Sequence, residues 1–287
     1  MTTIEQFHAR IRSKVRELSP LLATAYLAGL RALLDLIDEN RAMLNARQYE
    51  EFISLVLTDV NIATAFAAYR AALISALGDS MRYAARAIPN MAAADVSLMP
   101  NVLDANVLAA MRSLDAATMS RLDDEIRGMA RAVFQQGGSA KEILATLKSS
   151  VGLGPTQVGD VTSFRLAQSE IIPALDAAKI ERVAVIYSQK RIAANAATNA
   201  RTAALMATKQ GDALAWQYAQ DSGLVPDGMT LQTTWRQVKR PTMRASHALM
   251  DGKTVPFGTP FPNGDVIVGE GDPWNCLCVG QVTVAVA

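Results

Sequence analysis

The residue types best suited to chemistry are gathered near the end of the chain. Arg244-Ala-Ser-His247 leads to Asp251-Gly252, and Gly271-Asp-Pro-Trp-Asn275-Cys276-Leu-Cys278 follows. This stretch holds both cysteines and one of the two histidines. Thiolate sulfur and imidazole nitrogen are good zinc ligands, and a structural zinc site takes about four of them. His247, Cys276 and Cys278 supply three, with His8, Asp251, Asp272 or a water as the available fourth. The single residue between the cysteines is fewer than the roughly two to four usual in zinc sites. The competing reading makes both cysteines small buried apolar residues beside a turn and His247 a hydrogen-bonded core or interface residue. A disulfide across so short a loop would be strained, and a reducing compartment disfavours it.

Arg244, His247 and Asp251 are spaced three and four apart, which on a helix would put them on one face. A histidine beside a carboxylate is half of a general-base pair, so a His-dependent or metal-assisted enzyme is one alternative. No nucleophile accompanies the pair, because Ser246 would face elsewhere. Asp251-Gly252 reads more plainly as a turn, with Arg244 to Asp251 as the ion pair closing it. The expectation is therefore a protein without catalysis.

Cations form a third constellation. Between Lys179 and Arg244 there are ten Lys/Arg against four Asp/Glu. Lys190, Arg191, Arg201 and Lys209 belong to one helical stretch, and Arg236, Lys239, Arg240 and Arg244 lie close to Trp235. Such spacing suits phosphate contacts without base reading, so Lys190, Arg191, Arg201, Arg236, Lys239 and Arg240 are the candidate DNA contacts. A non-specific DNA-binding accessory protein is the second alternative. A solvated face, or pairing with the acidic end of the chain, explains the same residues. There is no P-loop or dinucleotide fingerprint.

The elements that must position these residues are mostly helical. Ser19-Pro20 has the form of a helix start, and apolar residues then recur at helical spacing from Leu21 to Ile37. Asp38-Glu39-Asn40 ends that helix. Further helices are expected over 46–59, 61–88 and 104–136, with 89–103 as a loop rich in breakers. Ser139-Ala-Lys-Glu142 is a capping box. Gly152-Leu-Gly-Pro155 leads to a long alanine-rich helical stretch over 156–210, with breaks expected near Pro173 and Gln189. After Gly211 the pattern changes, and 230–238, 266–268 and 279–286 read as strands. The fold class is mainly α, with an N-terminal helical region over 1–136 followed by a smaller α+β domain over 137–287 that carries a short C-terminal sheet.

Half of the 287 residues are apolar, ample for a core, and the net charge of +1 gives no bias toward nucleic acid or membrane. The start of the chain lacks the basic and apolar segments of a signal peptide. No unbroken apolar run approaches the roughly 20 residues of a bilayer span. A cytoplasmic protein with no membrane partner is expected.

Several motifs recur in one order. Gly138-Ser139 precedes Lys141-Glu142-Ile143. Gly152-Leu-Gly-Pro155-Thr-Gln157 and Phe164-Arg165 come next, and Arg191-Ile-Ala193 opens another helical segment. Trp235 then precedes Arg244-Ala-Ser-His247-Ala-Leu-Met-Asp251-Gly252, and Asn275-Cys276-Leu277-Cys278 closes the series. In this order and spacing, residues 125–287 resemble the phage Mu F-like minor head proteins, also called head morphogenesis proteins. Trp235, Arg244, His247, Asp251, Gly252, Asn275, Cys276 and Cys278 are the positions matching the family signature. The chain departs from it in Ala194-Asn195-Ala196 where Arg-Thr-Glu is common, in Leu277 where an arginine separates the cysteines, and in Met250, an added residue before the Asp-Gly turn. These losses of polar groups favour a scaffold over a catalyst.

The resemblance implies a low-copy component of a phage head near the portal vertex, assembled in the host cytoplasm and retained in the virion. Its partners would be the portal protein, the major capsid protein, or both, and packaged double-stranded DNA. The N-terminal helices would bind portal or inner capsid, and the basic face would meet DNA. The terminal Cys/His knot would hold the last strand and the Asp251-Gly252 turn together.

Overall fold

A computed structural model describes residues 4–45, 48–88, 91, 105–171, 177–237, 244–268 and 276–286. The chain is mainly α with one small antiparallel sheet near its C-terminus. The helices are α1 (Ile4–Glu39), α2 (Arg41–Asn45), α3 (Tyr49–Glu51), α4 (Asp59–Ala65), α5 (Ala67–Ala85), α6 (Ala105–Gln136), α7 (Ala140–Ser150), α8 (Pro155–Ile171), α9 (Ala177–Asp221) and α10 (Ala245–Ala248). The strands are β1 (Met229–Arg236), β2 (Thr254–Pro256) and β3 (Val279–Val286), in the order β2-β1-β3.

α1 corrects the reading of Ser19-Pro20. The helix runs straight through both residues, and the Ser19 hydroxyl donates back to the Val15 carbonyl at 2.6 Å instead of capping a new helix. A stripe of Ile11, Val15, Leu18, Leu22, Tyr26, Leu30, Leu33 and Ile37 is buried along its length. Burial of that stripe outweighs the one backbone hydrogen bond that Pro20 cannot donate, and Pro20 itself faces solvent. By length and composition His8–Glu39 would suffice to cross a bilayer. The buried stripe is equally that of a core helix in a globular protein.

The expected helix over 46–59 is instead α3, a π-helical turn over Phe52–Val56, and a break at Leu57. Thr58 then caps α4, its hydroxyl accepting from the Asn61 N–H at 3.1 Å. α4 and α5 meet at Phe66 with a bend of 67°. The capping box at Ser139 is formed, with Ser139 and Glu142 each receiving the other's backbone N–H. No break occurs at Gln189, which lies inside α9, and α9 continues past Gly211 to Asp221. Pro173 and most of the 89–103 loop lie outside the described residues. Val266–Val268 is a bend and not a strand; β2, which sequence reading missed, takes the free edge of β1.

Contacts divide the chain into two compact units. One comprises residues 1–22, 72–115 and 200–287, and the other 23–71 and 116–199. In the first, β1 pairs along its whole length with β3, Met229 opposite Val286 and Arg236 opposite Val279. Two buried clusters are formed by described residues of this unit. Met81, Ala84, Ala85 and Ile88 pack with Ala215 and Ala219, while Trp235, Phe261, Val268, Cys276 and Cys278 pack together beneath the sheet. Gly211 permits close helix approach, because a Cβ there would sit 2.6 Å from the Met81 backbone nitrogen.

In the second unit Tyr26, Phe66 and Tyr69 form a tilted and edge-on aromatic cluster, all three fully buried. Gly29 faces the Phe66 ring at a distance no side chain would tolerate. Gly152 adopts φ +92°, and an added Cβ would lie 2.6 Å from Leu30. Both conditions require glycine at that turn.

Candidate functional site

The centre of the first unit's sheet core is a cluster of two thiols and an imidazole. His247 is supplied by α10, a four-residue helix with Arg244 at its N-cap. Cys276 and Cys278 lie on the segment that runs directly into β3. Their sulfurs are 3.4 Å and 3.6 Å from His247 Nδ1, and all three donor atoms lie within 4.8 Å of one another. His247 is 6% exposed, Cys276 3% and Cys278 6%. Both cysteines are free thiols.

Trp235 forms one wall. It is fully buried and stands edge-on to His247 at 5.5 Å and to Phe261 at 5.2 Å. The turn after α10 is fastened to the same residue. The Trp235 N–H donates to the Lys253 carbonyl at 2.8 Å, and the Gly252 N–H donates to the Trp235 carbonyl at 2.9 Å. Gly252 has φ +79°, a left-handed conformation natural to glycine. Asp251 Oδ1 receives the Gln237 N–H at 3.1 Å. Trp235, His247, Asp251, Gly252, Cys276 and Cys278, far apart in sequence, therefore meet in one place. Asn275 lies outside the described residues.

The helical face expected of Arg244, His247 and Asp251 does not form. α10 ends at Ala248, so Asp251 belongs to the turn, and its carboxylate is occupied by a backbone amide. The His247 Nδ1 faces sulfur, with no serine hydroxyl or carboxylate among its described hydrogen-bond partners.

Lys209 is a member of the cluster that sequence reading assigned to a basic surface. It is buried on α9, with Nζ 2.8 Å from the Val268 carbonyl and 3.9 Å from Cys276 Sγ. Burial pushes its pKa below the ordinary lysine value, opposed by the two thiols and Asp265. The Cys276 thiol is pushed down by a hydrogen bond from Cys278 and, against burial, by the Lys209 ammonium. Cys278, whose proton is held in that bond, is pushed up by it and by burial. Cys276 is thus the more acidic of the two thiols.

The cations expected to meet DNA have separate environments. Lys190 is exposed. Arg191 is spent on Tyr187, donating to its hydroxyl at 2.7 Å and lying over its ring, with Asp160 at 3.9 Å. Arg236 is half-buried and donates to Gln281 Oε1 at 3.0 Å. Lys239 and Arg240 lie outside the described residues. Arg201 is exposed and shares the lining of a concave surface of about 270 Å³ with His8, Arg12 and Arg16. Arg12 and Arg16 are exposed too, and sequence reading missed them because the charges of residues 1–150 cancel overall.

The earlier motifs meet within the second unit. Gln157 donates from Nε2 to Asn195 Oδ1 at 3.0 Å, and Asn195 Nδ2 donates to the Gly152 carbonyl at 2.9 Å. Phe164 stacks on Tyr187 with ring centroids 4.4 Å apart, and Arg165 forks onto both carboxylate oxygens of Glu181 at 3.0 Å. Asn195 on α9 is thus the partner of Gln157 on α8.

Comparison of the chain with protein-family models, with curated proteins and with solved structures finds no match.

Proposed function

We propose that this chain is a structural minor head protein of a tailed bacteriophage, acting in head morphogenesis near the portal. The observation that supports it best is that the motifs of the resemblance are mutual neighbours within their units. Gly152, Gln157, Phe164 and Arg165 engage one stretch of α9, and Trp235, His247, Gly252, Cys276 and Cys278 close one core. Residues scattered over more than a hundred positions have structural reasons for their order, as a domain signature requires. The Cys/His cluster in this reading is a fastening. Its members are buried, and the carboxylate that would complete a general-base pair serves a turn.

Contact with packaged DNA is the second part of the proposal, and the surface lined by Arg12, Arg16 and Arg201 favours it. Three exposed guanidiniums around one concavity suit phosphate oxygens and carry no base preference. The portal protein, the major capsid protein, or both, would be the protein partners.

The test is deletion of the gene from a phage that encodes it, with heads purified and their DNA content and infectivity measured. Malformed, empty or non-infectious heads, restored by the gene in trans, are expected. Normal heads of full infectivity would overturn the proposal.

A further inference from the structure

The donor atoms of His247, Cys276 and Cys278 lie within 4.8 Å of one another, close enough to share one ion. Zinc bonds sulfur at about 2.3 Å and imidazole nitrogen at about 2.0–2.1 Å, with tetrahedral angles. The nitrogen-to-sulfur edge of such a site is then about 3.6 Å. The two edges present here are 3.4 Å and 3.6 Å. We infer that His247 Nδ1, Cys276 Sγ and Cys278 Sγ bind one zinc ion, with a water or other exchangeable ligand in the fourth position. The inference stands apart from the head-protein reading and does not rest on it.

Hydrogen bonding alone explains the geometry less well. Nδ1 of an imidazole has a single in-plane site, a lone pair or a proton. It can form one directed bond to sulfur, yet two sulfurs lie near bonding distance of it. An ion placed between the three donors accounts for both distances together.

The surroundings fit the charge and softness of zinc. Two thiolates and a neutral imidazole cancel the double positive charge, which suits the apolar walls of Trp235, Phe261 and Val268. The Lys209 ammonium, 3.9 Å from Cys276 Sγ and anchored on the Val268 carbonyl, is an outer donor that holds a thiolate in place. The set contains no carboxylate or carbonyl oxygen, so calcium and magnesium are poorly served. The Asp251 carboxylate is engaged by the Gln237 N–H and His8 is not in the cluster, so neither completes the site. A bound ion would join α10 to the root of β3 across 29 and 31 residues of chain.

The test uses the full chain purified without chelators. Elemental analysis should give about one zinc per chain. Exchange for cobalt(II) should give sulfur-to-cobalt charge-transfer absorption and the intense visible bands of tetrahedral cobalt. Cys276→Ser and Cys278→Ser should each weaken the charge-transfer band, and His247→Ala should lower metal content, while His8→Ala should change neither. If the serine variants do not fold, the wild-type cobalt spectrum decides alone. Background metal after incubation with excess zinc, or a cobalt spectrum without sulfur charge transfer, would overturn the assignment. Loss of metal in His8→Ala would overturn the ligand set.

Discussion

His247 Nδ1 lies 3.4 Å from the sulfur of Cys276, a residue 29 positions further along the chain. The approach is possible because Trp235 fastens both segments. Its backbone holds the Asp251-Gly252 turn, and its strand pairs with β3 immediately after the cysteines. The imidazole fills the space between the indole edge and the two thiols. Truncation of His247 would leave a void in a core made of few residues.

His247→Ala should therefore destabilise the chain by about 2–4 kcal/mol, the range of buried large-to-small changes. Urea unfolding followed by tryptophan fluorescence would measure it. A loss under about 0.5 kcal/mol, as for ordinary surface substitutions, would place His247 outside the cooperative core.

The Gln157–Asn195 pair tests whether the second group of motifs acts as a unit. Asn195→Ala removes both the partner of the Gln157 amide and the donor to the Gly152 carbonyl. Each alanine variant should cost about 1–3 kcal/mol if the orphaned partner stays dry. The double variant should cost less than the sum of the two, with a coupling of at least about 0.5 kcal/mol. Strict additivity would show that the two amides do not depend on each other.

Local signals explain how far the sequence could be read. The capping box at Ser139 was legible because both of its hydrogen bonds lie within four consecutive residues. Ser19-Pro20 misled because the same dipeptide serves a helix start and the solvent face of a helix held by its buried stripe. The Phe52–Val56 π-turn and the bend at Phe66 answer to packing and leave no periodic mark. Val266–Val268 has the composition of a strand, but β2 and β3 already occupy both edges of β1. The interleaved units could not be read at all, since each is assembled from segments distant in sequence.

The candidate site was legible by residue type and incomplete by position. His247, Cys276 and Cys278 stood out because soft ligands are rare in this chain. Lys209 did not, since a lysine within a helix reads as solvent-facing until its neighbours are known. Its surroundings Ala203–Thr208 are all buried, and that unbroken run of small and apolar residues was the available signal.

DNA binding, if Arg12, Arg16 and Arg201 carry it, should weaken steeply with salt. Removing one arginine–phosphate pair should reduce the slope of log affinity against log salt by about one. The Arg12→Ala, Arg16→Ala, Arg201→Ala triple variant should lower the slope by up to about three, equally for unrelated sequences. Lys209→Met should leave the slope unchanged, because that ammonium is buried. A triple variant with wild-type slope would reject this surface as the place where DNA binds.

Two glycines inside helices should respond oppositely to alanine. At Gly159 on α8 nothing lies within 4 Å of an added Cβ, so Gly159→Ala should gain up to about 1 kcal/mol from helix propensity. At Gly211 on α9 the same atom would meet the Met81 backbone nitrogen at 2.6 Å and Ser80 Cβ at 2.7 Å. Backbone there cannot yield as a flexible side chain would, and overpacking costs about 1–3 kcal/mol. Thermal unfolding of the two variants should move the midpoint in opposite directions. A stabilised Gly211→Ala would mean that the two helices are not closely packed.

Asp212 gives the chain a pH dependence of unusual sign. Its carboxylate is 2.6 Å from the Arg10 guanidinium, yet burial outweighs that ion pair and holds the pKa up at about 6. In the unfolded chain an aspartate titrates near about 3.9. Between these values the native state binds the proton and the unfolded state does not, so stability rises as pH falls from about 6 to about 4. A shift of about two units corresponds to about 3 kcal/mol, present in full below the unfolded pKa and lost as pH rises through about 6. Asp212→Asn removes this titration but also breaks the pair with Arg10, so its stability at one pH is uninformative. The informative quantity is the wild-type minus variant difference in unfolding free energy, measured by urea denaturation from about pH 7 to about pH 4. That difference should move in favour of the wild type as the solution is acidified. A flat difference would mean that Asp212 titrates normally, and one moving the other way would mean that Arg10 overcomes burial.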